Sequence, residues 1–190
     1  PVMGCSDMKR ILQPLLLVLT LAFAVAPFFT PSFQGYDPGR FPVRIEDPAV
    51  QPAGYAFAIW GLIYLWLILH AGFGLLRRRD DPAFLRVAPP LTGAVALGSV
   101  WLAIAVTAPI AATLVLIAMA ALAIRAFLRA DPQQDRWLLS APLAIFAGWL
   151  TAATAASTGV MLAGYGVMSD TTAALAMLLT VLAVAIPLQR

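Results

Sequence analysis

Apolar residues fall into six long blocks separated by short polar runs, and this alternation dominates the chain. The blocks cover about 11–30, 51–76, 87–106, 110–128, 137–158 and 171–187. Each is near the ~20 residues that an α-helix needs to cross roughly 30 Å of hydrocarbon. The pattern predicts an all-α fold, a polytopic transmembrane helix bundle with six spans.

The polar runs and prolines refine the individual spans. Met8-Lys9-Arg10 has the form of a native start with extra residues before it, and residues 1–10 are expected to be an N-terminal cytoplasmic tail. Ala24-Val25-Ala26 imitates a signal-peptide cleavage site, but Pro27 directly after it makes a poor peptidase substrate. An uncleaved helix is expected there, kinked or started near Pro14. Residues 31–53 are rich in proline and carry Phe33, Tyr36 and Phe41. Proline lowers the entropy lost on ordering a loop, so this stretch reads as an ordered connector or as a cap over a cavity mouth. The third span is expected to begin at Pro89-Pro90, and it carries Gly93, Gly98, Ser99 and Trp101. The fourth is nearly featureless except for Arg125, an anchor that can snorkel to the surface beside Arg129. In the fifth, Gly148, Ala152, Ala156 and Gly159 form a ridge expected to be the most tightly packed helix face, next to a stripe of Trp149, Ala153 and Ser157. Residues 159–170 either continue that helix or form a loop; merged with the last block they would leave five crossings.

Composition agrees with a membrane protein: 62% of residues are hydrophobic and 11% charged. Six spans put Lys9, Arg10, Arg77, Arg78, Arg79, Arg86, Arg129, Arg136 and Arg190 on one side. The other side has Arg40 and Arg44 with Asp37, Glu46 and Asp47, so the positive-inside rule places both termini in the cytoplasm, with a bacterial inner membrane as the expected location. These arginines flank spans and give no nucleic-acid footprint.

The available chemistry is narrow. Cys5 is the only cysteine and His70 the only histidine, and no Cys/His/carboxylate grouping has the spacing of a metal site. A Ser/His/Asp hydrolase, a carboxylate acid/base pair and a phosphate-binding glycine loop all lack their residues. Proton-coupled transport needs ionisable groups inside the membrane, and the spans offer only His70 and Arg125, both near span ends. What remains is aromatic surface. Phe57, Trp60 and Tyr64 fall at helical spacing on one face of the second span, which suits either ordinary packing or the wall of a site for a flat hydrophobic molecule.

The run PAGYAFAIWGLIY resembles the second-helix signature of the TspO/translocator family of tryptophan-rich sensory proteins, where proline, phenylalanine and a W-x-x-x-Y pair occur in this order: here Pro52, Phe57, Trp60 and Tyr64. Trp101 and PLAIFAGWLTAATAAS, with Pro142 seven residues before Trp149, resemble further blocks of the family, the latter of a divergent branch. The likeness covers roughly 11–160. It implies a five-helix bundle capped by the loop 31–53, with residues 161–190 as an additional C-terminal helix. It also implies binding of a tetrapyrrole such as protoporphyrin or haem, or of a sterol-like molecule, with no obligatory cofactor and often as a homodimer. By the same resemblance the ligand-facing residues are Phe57, Trp60, Tyr64, Trp101, Trp149, Ala153 and Ser157. Ser157 stands where asparagine is common in the family, and the first loop lacks the usual tryptophans. The alternatives are an accessory subunit packing against a larger membrane complex, a hydrophobic-ligand transporter, and light-dependent porphyrin breakdown.

Overall fold

The computed structural model describes residues 5–31, 33 and 35–188. Pro1–Gly4 of the expected tail, Ser32 and Gln34 of the first loop, and Arg190 of the charge count lie outside the described residues. Among the described residues, six α-helices carry the fold: α1 Cys5–Val25, α2 Ile59–Arg77, α3 Pro82–Ala105, α4 Pro109–Arg129, α5 Ser140–Gly164 and α6 Asp170–Leu188. All six are long and apolar enough to cross a membrane. Their outer faces expose leucines such as Leu65, Leu114, Leu178 and Leu179, as bilayer contact requires.

Local chemistry moves several boundaries. α1 starts at Cys5 and continues through Pro14, so it takes in part of the expected tail and does not begin at the proline. α3 begins at Pro82, earlier than expected, because Asp81 caps it: the carboxylate accepts from Ala83 N at 2.9 Å, and Pro82 fills the first position, where no N–H is needed. Pro89 and Pro90 consequently lie inside α3 and do not start it. α5 starts at Ser140, after a turn in which Leu138 N and Leu139 N both donate to Asp135 O at 2.8 Å. Asp135 itself sits at φ 42, a left-handed conformation that aspartate tolerates better than most residues. α5 runs on to Gly164, and a turn with Gly166 at φ 70 separates it from α6, which gives six distinct helices.

The packing order is a ring. α1 lies between α2 and α3, α3 packs on α4, α4 on α5, and a thin α5–α2 contact closes the circle. α6 leans on the outside of α5 and buries little of itself. The tight face of α5 carries Leu143, Phe146, Ala147 and Leu150. That corrects the small-residue ridge: Gly148 is exposed and a Cβ there would meet nothing, Ala156 faces a cavity, and only Gly159 is closely packed, against Val50 and Met177.

The ring is filled at one end and hollow at the other. Leu67, Ala71, Ala83, Phe84, Val87, Ala88, Ala123, Ala126, Leu139 and Leu143 close the end that carries the 78–81 and 130–139 turns. His70 is buried there, stacked on Phe84 with ring centroids 5.4 Å apart, and its Nδ1–H donates to Leu138 O at 2.7 Å. Trp66 Nε1 donates to Trp137 O, and Arg78 pairs with Asp135 at 2.8 Å across the two turns. At the opposite end, the 31–53 loop lies over the ring.

Candidate functional site

Beneath the loop, the helices leave a cavity of about 280 Å³. Phe57, Trp60, Tyr64, Trp101, Trp149, Ala153 and Ser157 all line it, so the structure brings the seven residues expected to face a ligand to one place. Phe57 sits in a 3-10 turn, Gly54–Ala58, that leads into α2, while Trp60 and Tyr64 follow on the helix itself. The rings of Trp60 and Tyr64 stack at 5.5 Å, and Trp149 from α5 meets Trp60 edge-on at 6.1 Å and Phe57 at 6.4 Å. These contacts form a right-angled aromatic corner in the geometry that ring quadrupoles favour.

Phe23 of α1, which the residue pattern did not single out, supports that corner. It stands edge-on to Tyr64 at 5.0 Å and to Trp60 at 5.7 Å. Gly98 on α3 makes room for it, since a Cβ there would lie 2.4 Å from the Phe23 ring. The same cavity wall contains Met119 and Leu116 of α4 and Leu102 of α3.

The loop supplies the remaining wall through Pro31, Phe33, Gly35, Tyr36, Gln51 and Pro52. It is fastened at several points. Val43 N donates to Gly164 O at 2.9 Å, Ala49 N donates to the Asp170 carboxylate at 3.0 Å, and Arg40 Nη1 donates to Thr107 O at 2.7 Å. Phe41 presses on Gly164, where a Cβ would come within 2.6 Å of its ring. Phe33 packs edge-on to Trp101 at 5.1 Å and to Tyr36 at 5.4 Å. Gly35, at φ 130, adopts a backbone conformation suited to glycine, which lets the chain pass close over Gln51.

Polar atoms at the site are few. Tyr36 Oη and Ser157 Oγ lie 2.8 Å apart, Ser157 Oγ and Thr113 Oγ1 2.6 Å apart, and Thr113 Oγ1 donates to Pro109 O at 2.9 Å. Burial raises the Tyr36 pKa above its usual 10.0, only partly offset by the hydroxyl bonds to Ser157 and Thr113, so the phenol stays protonated at neutral pH. Trp101 Nε1 donates to Ala112 O at 3.0 Å, whereas Trp149 Nε1 is buried without an acceptor. None of the described lining residues is Lys, Arg, His, Asp or Glu. Thr113 carries no signal in the sequence, because a lone threonine in an apolar helix usually bonds only its own backbone.

A family model described as TSPO-like protein matches residues 10–189, which takes in all of α2 to α5, most of α1 and the sixth helix. No curated protein and no solved structure matches the chain significantly.

Proposed function

We propose a function for a chain that belongs to the TSPO-like protein family and is an integral membrane protein: it is a sensor or binding protein that takes a planar hydrophobic molecule, of the tetrapyrrole or sterol-like class, into the capped cavity. The observation that carries this reading is the aromatic corner of Phe57, Trp60, Tyr64 and Trp149 open to a cavity under an ordered loop. Flat apolar molecules gain most from such walls, through buried area and ring contacts together. At about 280 Å³ the cavity lies near the small end of ligand sites, so a full tetrapyrrole requires the loop to lift, while a smaller ring system fits beneath it. Haem suits the lining less well than a metal-free macrocycle, because the described residues offer Met119 and two phenols but no imidazole or thiolate as an axial ligand.

The arginines at 77–79, 86, 129 and 136 gather at the filled end, which favours that end, and with it both termini, on the cytoplasmic side of a bacterial inner membrane. The accessory-subunit reading keeps a motive in the exposed Gly148 and in α6, which buries little of itself; recovery only as a free monomer or homodimer after gentle purification would count against it.

Tryptophan fluorescence of the full chain in lipid nanodiscs tests the proposal. Protoporphyrin or 1-hydroxypyrene should quench it saturably beyond empty-disc partitioning, and Trp60→Ala and Trp149→Ala should each weaken binding about tenfold. Absence of saturable quenching by both compounds, or unchanged affinity in both variants, would reject it.

A further inference from the structure

The hydroxyl chain at the cavity edge has a direction that can be worked out from its far end. When all three contacts are made together, the single Thr113 hydroxyl proton goes to Pro109 O, a carbonyl that can only accept. Thr113 Oγ1 must then accept from Ser157 at 2.6 Å, and Ser157 Oγ must accept from Tyr36 at 2.8 Å. All three protons point from the loop toward α4. What Tyr36 and Ser157 retain for the cavity they both line is lone pairs. Such chains polarise along their length, which makes the terminal phenol oxygen a better acceptor.

Charge gives a second, independent restriction. No described lining residue carries a charge, and the pocket is dominated by aromatic and aliphatic side chains. A carboxylate drawn inside would lose its hydration and find no cation; the Tyr64 phenol, the Gln51 amide and the Trp149 indole N–H are neutral donors and cannot replace one. Arg40 and Arg44 belong to the same loop but are turned elsewhere, Arg40 to Thr107 O and Arg44 to Glu46.

We propose that the cavity selects an uncharged, largely apolar molecule that turns one O–H or N–H donor toward Tyr36 and Ser157, an inference that rests on the binding function proposed above. Anionic ring systems, including free-acid porphyrins, are discriminated against unless their carboxylates stay outside the cap. Tyr36 and Ser157 are thereby specificity-determining residues.

Three probes of one ring system separate the possibilities: 1-hydroxypyrene, which donates; 1-methoxypyrene, which does not; and pyrene-1-carboxylate, which is anionic. Each is titrated against the full chain in phosphatidylcholine nanodiscs, with empty discs as the partition reference. The hydroxyl compound should bind about tenfold more tightly than the ether, the worth of one good buried hydrogen bond, and the carboxylate should be the weakest. Tyr36→Phe should bring hydroxyl and ether within about twofold of each other. Ser157→Ala should reach the same levelling by the opposite route, since it frees the Tyr36 proton to donate to the ether oxygen. Equal binding of hydroxyl and ether by the parent, tightest binding of the carboxylate, or a preference unchanged in Tyr36→Phe would overturn the inference while leaving the binding function standing. Failure of all three probes to bind saturably would overturn the inference, and the binding function with it only where protoporphyrin fails as well.

Discussion

Both ends of the helix ring contain aromatic rings, yet their interiors are opposite. At the filled end, short turns of 78–81 and 130–139 hold the helices together, alanines allow close approach, and Phe84 fills the middle beside His70. At the capped end, a long loop replaces a short turn, and large rings brace one another along the walls, leaving the centre open. Aromatic content alone therefore does not make a site. What distinguishes the capped end is that Phe23, Trp60, Tyr64 and Trp149 lean on each other edge-to-face, which holds them at the rim of the hollow and out of its centre.

Removing a ring from each end separates stability from binding most strongly. Phe84→Ala should cost about 3–5 kcal/mol, because the alanine-lined surroundings cannot collapse into the space. Trp60→Ala, beside an existing cavity, should cost about half as much yet lose most binding. Unfolding midpoints in detergent and ligand titrations on the same preparations measure both. Equal destabilisation by the two substitutions would erase the proposed contrast between the ends.

Gly164→Ala probes the seam of the cap. Its new methyl would intrude on Phe41, and because the carbonyl of Gly164 itself holds Val43 N, the loop must shift, at about 1–3 kcal/mol. Proteolysis within 31–53 should accelerate while the filled end keeps its hydrogen-exchange protection; protection lost at both ends would show that the cap and the bundle are a single cooperative unit.

From neutral pH upward, the cap should respond only at alkaline values. The Tyr36 pKa is raised in the folded protein, so its contribution is fully present below the ordinary tyrosine value of 10.0 and is lost as pH climbs through the higher folded value. Loop proteolysis should be flat between about pH 6 and 9 and rise only beyond 10, and Tyr36→Phe should remove that rise. The smallest effect belongs to Asp170→Asn, which weakens an exposed tether to Ala49 N. Local exchange at residues 48–50 should quicken with no change in unfolding midpoint.

Much of this was legible in the sequence. Block length and hydropathy suffice for six helices, because a bilayer demands about 20 apolar residues per crossing. The Trp60/Tyr64 and Trp149/Ala153 spacings sufficed to place four residues on cavity-facing stripes. The rest depends on tertiary neighbours. Phe23 looks like any ring in an apolar span until Gly98, on another helix, is seen to accommodate it. Thr113 gains meaning only from its bond to Ser157, and the Gly148 ridge looked like an interface because spacing reveals a face without revealing what lies against it. Prolines misled as well: Pro89 and Pro90, expected to start the third helix, lie within it, and Pro14 lies within the first.

The most direct measurement is photo-crosslinking of the full chain in lipid nanodiscs with a diazirine-bearing pyrene, followed by peptide mapping with competition by unlabelled 1-hydroxypyrene. Competable label on Phe33, Gly35 and Tyr36 and on the segments 57–64 and 149–157 is the expected result, since these wall one cavity. Label confined to lipid-facing positions such as Leu114, Leu178 and Leu179, and indifferent to competitor, would contradict a binding site under the cap.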